Sequence, residues 1–178
     1  MTADSELARD IYRRSHLTGE FTLRSGVVAN EYFDKYLFES DPLMLRRVVE
    51  ALAPLVPEQG IDALAGLETG GIPLATMLSQ VTGVPTLFVR KEAKTYGTCR
   101  LAEGGEVAGR RLLIVEDVVT SGGAVLDAVG ELRDRGATVE RTVCVIDRES
   151  GGRKNLAEQG VELKALFTMS ELKTAGAS

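Results

Sequence analysis

The chain has 178 residues, of which 44% are hydrophobic and 26% charged, an ordinary composition for a soluble globular domain with a sizeable core. Its net charge of −5 argues against a general nucleic-acid-binding protein. No apolar run approaches the roughly 20 residues of a membrane-spanning helix, and the N-terminus has no secretion signal, so we expect a cytoplasmic protein.

The first part of the chain predicts one helix before and one helix after a stretch of strand-forming residues. Apolar spacing predicts a helix over 4–15, and the Phe- and Tyr-rich residues 21–38 predict a β-hairpin or a strand and loop. Asp41-Pro42 is typical of a helix start, with an N-cap followed by proline at the first helical position. This helix would turn inward Leu45, Val48, Val49, Leu52 and Leu55.

Beyond residue 60, short apolar runs alternate with helical patterns. The predicted strands are 61–65, 84–89, 111–117, 138–146 and 161–167. The predicted helices are 73–81, 123–135 and 154–159, with a glycine-rich loop at 66–71 and a long mobile loop at about 90–109. This alternation predicts an α/β fold, a doubly wound parallel sheet flanked by helices, in a single domain of residues 1–178 with an N-terminal hood at about 1–40.

The cysteines and the single histidine do not suggest a metal site. Cys99 and Cys144 lack metal-ligand spacing and are expected to be reduced thiols, and His16 is expected at a helix end on the surface. Residues 90–111 carry six basic and three acidic side chains, so this segment is +3 and the rest of the chain −8. Such a segment suits a small polyanion, and a solvated basic loop is the alternative.

One stretch, LLIVEDVVTSGGA at 112–124, carries the strongest chemical signal. Four aliphatic residues predict a strand buried on both faces, and the acids Glu116 and Asp117 follow where the carboxyl edge of a sheet binds ligands. The small residues from Thr120 to Ala124 then lead into a predicted helix, a place where backbone N–H groups and the helix dipole favour a phosphate. An ordinary helix cap is the alternative interpretation. Neither a Walker loop nor a dinucleotide-binding fingerprint is present.

Four blocks of sequence resemble the orotate phosphoribosyltransferase family of type I phosphoribosyltransferases. The 112–124 stretch resembles the family's phosphoribosyl pyrophosphate motif, and VRKEAKTYGTCRLAEG at 89–104 resembles its catalytic loop. FTLRSG at 21–26 with YFD at 32–34 resembles the substrate segment, and IDR at 146–148 resembles its strand-end arginine. The resemblance implies the type I phosphoribosyltransferase fold and transfer of phosphoribosyl from 5-phosphoribosyl 1-pyrophosphate to orotate, which makes orotidine 5'-monophosphate for pyrimidine biosynthesis.

The resemblance also implies roles for individual residues. Catalytic cations would be Arg90, Lys91 and Lys94. Phosphoribosyl pyrophosphate would contact these three and Glu68, Thr69, Gly70, Tyr96, Glu116, Asp117, Val118, Val119, Thr120, Ser121, Gly122, Gly123 and Ala124. Within that set, Glu116 and Asp117 would hold the ribose hydroxyls, and 120–124 the 5-phosphate. Orotate would contact Arg24, Phe33, Thr120 and Arg148. Mg²⁺ would be held mainly by substrate oxygens, without a protein metal site, and a homodimer would share the long loop across its interface.

Two positions depart from the family's pattern. Tyr96 stands where the loop usually has histidine, and a neutral tyrosine can donate to a phosphate oxygen but is a poor acid. Gly70 stands where many members carry lysine, whereas Arg24 keeps the charge of a position that is often lysine.

Two other functions remain open at this level. One is salvage of a purine or another base, against which the Arg-Lys-x-x-Lys loop and Arg148 argue. The other is a non-catalytic regulator that senses phosphoribosyl pyrophosphate, against which the retained loop cations argue. Arg100, Arg110 and Arg111 are predicted surface charges, Cys144 a core residue, and Lys35 either solvated or functional.

Overall fold

The computed structural model describes residues 3–22, 26–92 and 101–177. Its strands are β1 (His16–Thr22), β2 (Val28–Phe33), β3 (Ala63–Leu67), β4 (Thr86–Val89), β5 (Ala102–Glu103), β6 (Arg111–Val119), β7 (Thr138–Asp147) and β8 (Glu162–Thr168). Its helices are α1 (Ala3–Ser15), α2 (Tyr36–Glu39), α3 (Pro42–Leu52), α4 (Gly71–Thr82), α5 (Gly123–Asp134), α6 (Gly152–Glu158) and α7 (Met169–Gly176), and a 3₁₀ turn (Ala53–Leu55) follows α3. No helix within these described ranges is long and apolar enough to cross a bilayer.

The main sheet has the strand order β5-β4-β3-β6-β7-β8. All neighbours are parallel except β5, which pairs antiparallel with β4 at the edge. The predicted α/β fold with a mainly parallel sheet is therefore confirmed. Because the strands of a parallel sheet point the same way, their carboxyl ends meet at one edge.

Both faces of the sheet are covered, which explains the unbroken apolar run in β6. Leu113 and Val115 pack on one face with residues of α3 and α4, in the same cluster as Val49 and Leu74. Leu112 and Ile114 pack on the other face with residues of α5 and α6. A strand buried on both sides has no polar face to alternate with its apolar one.

The N-terminal region packs into the first of these cores. Ile11 of α1 and Phe38 of α2 are fully buried in the same cluster as Leu52 and Leu172. The hairpin of β1 and β2 is antiparallel and has an irregular register between Thr18 and Phe21. The α3 helix starts as predicted, because the Asp41 side chain accepts from the backbone N–H groups of residues 43 and 44.

Several element boundaries differ from the predictions. Strand β1 starts at His16, not at residue 21, and β6 continues to Val119 through both acids, not to 117. Helix α4 starts at Gly71, two residues early, and β5 lies inside the predicted loop. Helix α7 was not predicted, although Thr168 and Glu171 form a capping box that the sequence carries.

The early start of α4 depends on glycines that permit close backbone contact. A Cβ on Gly71 would lie 2.2 Å from the carbonyl oxygen of Val115 in β6. A Cβ on Gly66 would lie 2.7 Å from the carbonyl oxygen of Gly71. The loop between β3 and α4 is thus pressed against the end of the central strand.

Replacing Gly71 with alanine should destabilise the protein, whereas the same change at Gly130 should not. Gly71→Ala places its methyl group against backbone and should lower the free energy of unfolding by about 1–3 kcal/mol. Gly130 lies exposed in α5 with nothing within 4 Å of its Cβ, so Gly130→Ala should raise that free energy by about 0.5–1 kcal/mol. Urea denaturation of both variants checks this, and equal effects would contradict the packing argument.

Candidate active site

The carboxyl ends of four strands bring the predicted site segments together. Strand β3 is followed by 68–70, β4 by Arg90 and Lys91, and β6 by 120–122. Strand β7 is followed by Arg148, whose backbone N–H donates to the carbonyl of Val119 at 2.9 Å. These segments are far apart in sequence but adjoin one another at one edge of the sheet.

A cavity of about 420 Å³ opens between the ends of β3, β4 and β6 and the start of α5. Its lining combines cationic and acidic groups, namely Arg90, Lys91, Glu68, Glu116, Asp127 and Glu131. The backbone N–H of Lys91 donates to Glu68 Oε2 at 3.1 Å, which ties the two loops together. Arg90 Nε lies 3.6 Å from Glu103 Oε1, so β5 supplies a carboxylate partner for this cation.

The basic segment 90–111 does not form one patch. Arg110 and Arg111 precede and begin β6, at the opposite edge of the sheet from the cavity. Arg111 Nη2 lies 3.3 Å from Asp62 Oδ1 at the start of the neighbouring strand. The prediction that these two arginines are surface charges fits this position. Among the described residues of the segment, Arg90, Lys91 and Leu101 line the cavity.

The loop after β6 presents its N–H side because its carbonyls are already engaged. The carbonyl of Thr120 accepts from Gly152 N–H at 3.1 Å, and that of Ser121 accepts from Asn155 Nδ2 at 2.9 Å. The carbonyl of Gly122 accepts from an N–H within α5 at 2.9 Å. A hollow of about 180 Å³ is lined by Glu116 and 118–125. The first N–H groups of a helix lack intrahelical partners, so this hollow suits an anion.

The two acids of the motif point to opposite sides of β6. Glu116 shares the face of Ile114 and lines the cavity beside α5, whereas Asp117 shares the face of Val115 and points toward α2 and α4. Both are buried, at 8% and 0% exposure. Both acids are buried because β6 extends past them to Val119 and both of its faces are covered there.

The environment separates the protonation states of these acids. Burial, with Asp117 beside it, raises the pKa of Glu116 well above its usual range. Burial opposes ionisation of Asp117 too, yet its contacts with Glu116 and Lys35 hold the pKa of Asp117 below its usual range. The Lys35 ammonium lies 2.5 Å from Asp117 Oδ2. Asp117 is therefore the ionised member of the pair.

A third buried acid lies near them. Glu39, at the end of α2, is 6% exposed, and burial raises the pKa of Glu39 to about 9, with the Asp117 carboxylate acting in the same direction. Both carboxyl oxygens of Glu39 are buried, and its side chain lies close enough to Asp117 to interact with it. At neutral pH Glu39 is therefore protonated.

A second cavity, of about 260 Å³, joins two of the residues predicted to contact the base. Phe33 at the end of β2 and Arg148 at the end of β7 both line it. His16 lies there as well, stacked on the Tyr12 ring at a centroid distance of 4.7 Å, with Nε2 2.9 Å from Glu31 Oε2. His16 thus begins a strand and is not simply a surface residue at a helix end.

Three predicted site residues lie outside the described residues, namely Arg24, Lys94 and Tyr96. Cys99 lies outside them too, whereas Cys144 is a free thiol buried in the core, as predicted. Within 3–22, 26–92 and 101–177, no group of three or more His, Cys, Asp or Glu side chains is arranged to hold a metal ion.

The sequence-based prediction missed two polar residues around the site, Glu39 and Asn155, and left a third, Lys35, open between a solvated and a functional role. Lys35 and Glu39 face Asp117, and Asn155 of α6 holds the loop carbonyl. Lys35 directly follows the YFD block and Glu39 lies four positions after Lys35, which was a local hint. Nothing in the sequence indicated Asn155, because it meets its partner only after α6 packs beside the loop.

Comparisons with known proteins agree with this geometry. Residues 38–162 match the family described as "Phosphoribosyl transferase domain". The chain is 55% identical over 175 residues to an orotate phosphoribosyltransferase of Nocardioides sp., covering 98% of this chain and 97% of the relative. It is 47% identical over 157 residues to one of Halobacterium salinarum, covering 88% and 89%.

Solved structures of orotate phosphoribosyltransferases also match this chain. Mycobacterium tuberculosis orotate phosphoribosyltransferase in complex with Fe(III) dicitrate matches with a TM-score of 0.86 at 31% identity, covering 96% of this chain and 99% of that one. The same enzyme in complex with 5-phospho-alpha-D-ribosyl 1-diphosphate matches with a TM-score of 0.81 at 28% identity, covering 97% and 99%.

Substituting the buried acid Glu39 should change how stability depends on pH. The pKa of Glu39 rises on folding from its ordinary 4.5 to about 9. Between these values the unfolded chain loses a proton that the native state keeps, so Glu39 makes the native state less stable as pH rises. The free energy of unfolding of Glu39→Gln, relative to that of the parent protein, should therefore increase by about 1 kcal/mol or more from pH 5 to pH 8.

Urea denaturation at both pH values measures this gain. Glu50→Gln, at an exposed position on α3, is the matched control and should show no such trend. A gain for Glu39→Gln that is equal at pH 5 and pH 8 would mean that Glu39 is ionised in the native state.

Proposed function

Since the chain belongs to the orotate phosphoribosyltransferase family, we propose that it transfers the phosphoribosyl group of 5-phosphoribosyl 1-pyrophosphate to orotate. The products are orotidine 5'-monophosphate and pyrophosphate, a step of pyrimidine biosynthesis. The observation that carries this proposal is the 55% identity that extends over 98% of the chain. The geometry of the strand ends supports a role for each part of the site.

The phosphate and ribose would bind around the end of β6. The N–H groups of 120–124 suit the 5-phosphate, because the loop carbonyls are engaged on the other side. Glu116 and Asp117 would accept or exchange hydrogen bonds with the ribose hydroxyls. Val118 and Val119 complete the strand, and Val119 packs in the core, so their contribution would be through backbone atoms.

The pyrophosphate would lie in the cavity that contains Arg90, Lys91 and Glu68. In the reaction the ring nitrogen of orotate loses its proton to solvent and bonds to the anomeric carbon as the bond from that carbon to the pyrophosphate oxygen breaks. Negative charge then builds on the leaving group, where Arg90 and Lys91 would stabilise it. Lys94 and Tyr96 keep their predicted roles at the same group, and Thr69 and Gly70 would offer backbone contacts.

Mg²⁺ fits this cavity as part of the substrate complex. Its wall carries the carboxyl groups of Glu68, Asp127 and Glu131, and oxygen is the ligand that Mg²⁺ prefers. The ion would be held mainly by the pyrophosphate oxygens and would neutralise part of their charge. These three acids are not arranged as a metal site of their own among the described residues, so the substrate would supply the ligands.

The base would lie near the end of β7. Arg148 can pair with the orotate carboxylate through two parallel hydrogen bonds, and Phe33 supplies an apolar wall in the same cavity. Thr120 adjoins Arg148 through the contact between the backbones of residues 119 and 148. Arg24 keeps its predicted role as a further cation for the base.

The assembly and location of the enzyme are also proposals. We infer a homodimer in which the loop of about 90–109 reaches the partner's site, with the cytoplasm as the predicted location. The arrangement would place loop cations over a bound pyrophosphate and exclude water during transfer.

The decisive assay mixes the pure protein with orotate, 5-phosphoribosyl 1-pyrophosphate and Mg²⁺ and follows orotate absorbance. We expect Mg²⁺-dependent consumption of orotate and none of adenine, hypoxanthine or uracil. Arg148→Gln should raise KM for orotate by about 10-fold or more, with a smaller effect on KM for phosphoribosyl pyrophosphate, since a charge-assisted bidentate contact is lost.

Arg141→Gln is the matched control, because Arg141 lies near the start of β7, the strand that Arg148 follows, with its Nε 3.8 Å from Glu162 Oε2. Turnover of another base but not of orotate would make the protein a salvage enzyme. No turnover of any base would contradict an enzymatic role altogether.

A further inference from the structure

Lys35 is held in place by the turn between β2 and α2. The backbone N–H of Asp34 donates to the carbonyl of Ser15 at 2.8 Å. The Asp34 carboxylate in turn accepts from the N–H of Tyr36 at 3.1 Å. These contacts fix the backbone on both sides of Lys35, so its side chain projects from a defined point toward the end of β6.

The Lys35 ammonium reaches the fully buried Asp117. Nζ lies 2.5 Å from Asp117 Oδ2, and it also lies 5.3 Å from the centre of the Tyr36 ring. The side chain of Lys35 is 32% exposed, whereas that of Asp117 is not exposed at all. Lys35 thus covers the acid and still faces the solvent side of the site.

Gly70 lies close against the same oxygen of Asp117. A Cβ at Gly70 would lie 1.6 Å from Asp117 Oδ2, so any side chain at position 70 would displace the carboxylate. Residue 70 has no side chain. Of Lys35 and Gly70, only Lys35 therefore reaches this oxygen with a side chain.

Asp117 is surrounded by other acids as well as by this cation. The titratable groups that act on it are Lys35 before α2, Glu39 at the end of α2 and Glu116, its neighbour on the strand. Asp34 and Tyr36 act electrostatically on Glu39 and Lys35 respectively. A carboxylate in such a buried, acidic surrounding takes up a proton unless a cation compensates it.

We propose that Lys35 is a positioning residue for the transfer reaction, whose ammonium keeps Asp117 ionised and oriented to accept a hydrogen bond from a ribose hydroxyl. This inference rests on the proposed function, because it assigns the ribose to the acids of β6. Lys35 acts through Asp117, and it needs no contact with the reacting atoms. A protonated Asp117 would be a weaker acceptor and could no longer make the same charge-assisted contact.

The test compares Lys35→Met with Lys35→Arg across pH 6 to pH 9. In Lys35→Met, Asp117 loses its cation and titrates at higher pH, so KM for phosphoribosyl pyrophosphate should rise about 10-fold or more at pH 6.5 relative to the parent. This ratio should shrink toward pH 9 as Asp117 ionises again. Lys35→Arg keeps the charge and should stay within about 3-fold of the parent at every pH.

Lys154→Met is the control, since Lys154 is an exposed lysine on α6 whose ammonium lies 3.9 Å from Glu158. It should leave KM unchanged. A ratio for Lys35→Met that stays constant across the pH range, or a Lys35→Arg variant as impaired as Lys35→Met, would overturn the proposal. Circular dichroism at each pH confirms that the variants are folded.

Calorimetric binding of ribose 5-phosphate to the same variants separates this inference from the proposed function. If the parent binds this ligand and Lys35→Met loses affinity most at low pH, the role of Lys35 stands even where orotate is not consumed. If the parent consumes orotate but Lys35→Met binds ribose 5-phosphate like the parent at pH 6.5, the role of Lys35 is wrong while the function stands.

Discussion

The ion pair between Lys35 and Asp117 is the contact on which the end of the central strand depends. Strand β6 carries two adjacent acids into a region that is buried on both faces. Burying an unpaired charge there would cost far more folding free energy than burying a paired one. One acid is therefore neutralised by a proton and the other is paired with an ammonium group. Glu116 and Asp117 differ in charge although they are neighbours in sequence.

The rest of the site is arranged around this strand end. Gly70 and Gly71 lack side chains where the loop after β3 touches β6 and Asp117. The loop after β6 is held by Gly152 and Asn155 of α6, which leaves its N–H groups on the ligand side. Strand β4 is followed by Arg90 and Lys91, the cations that line the cavity between the strand ends. Each neighbouring element therefore either approaches β6 through glycine or contributes a polar side chain to its end.

The sequence predicted the elements whose signals are local. Four consecutive aliphatic residues indicated that β6 is buried on both sides, and Asp41-Pro42 indicated the start of α3. The sequence did not predict elements whose formation depends on contacts between residues far apart in the chain. The two-residue strand β5 exists only because β4 offers it an edge, and no periodicity marks so short a strand. The register of the hairpin likewise depends on its packing.

In the site too, local sequence signals could be predicted and long-range contacts could not. The residues on the strand ends could be predicted because a parallel sheet collects its carboxyl ends at one edge. The burial of Asp117 could not be predicted, because two adjacent acids are usually exposed. Lys35, the cation that pairs with Asp117, lies more than 80 positions away in the chain. Asn155 was equally hidden, because its role arises from the packing of α6 against the loop.

The most direct measurement is a crystal structure of the protein with orotidine 5'-monophosphate, which carries the phosphate, the ribose and the base in one ligand. The account predicts the phosphate on the N–H groups of 120–124, the ribose hydroxyls within hydrogen-bond distance of Glu116 and Asp117, and the base carboxylate against Arg148. A base that lies in the cavity of Arg90 and Lys91, with its ribose away from both acids, would contradict it.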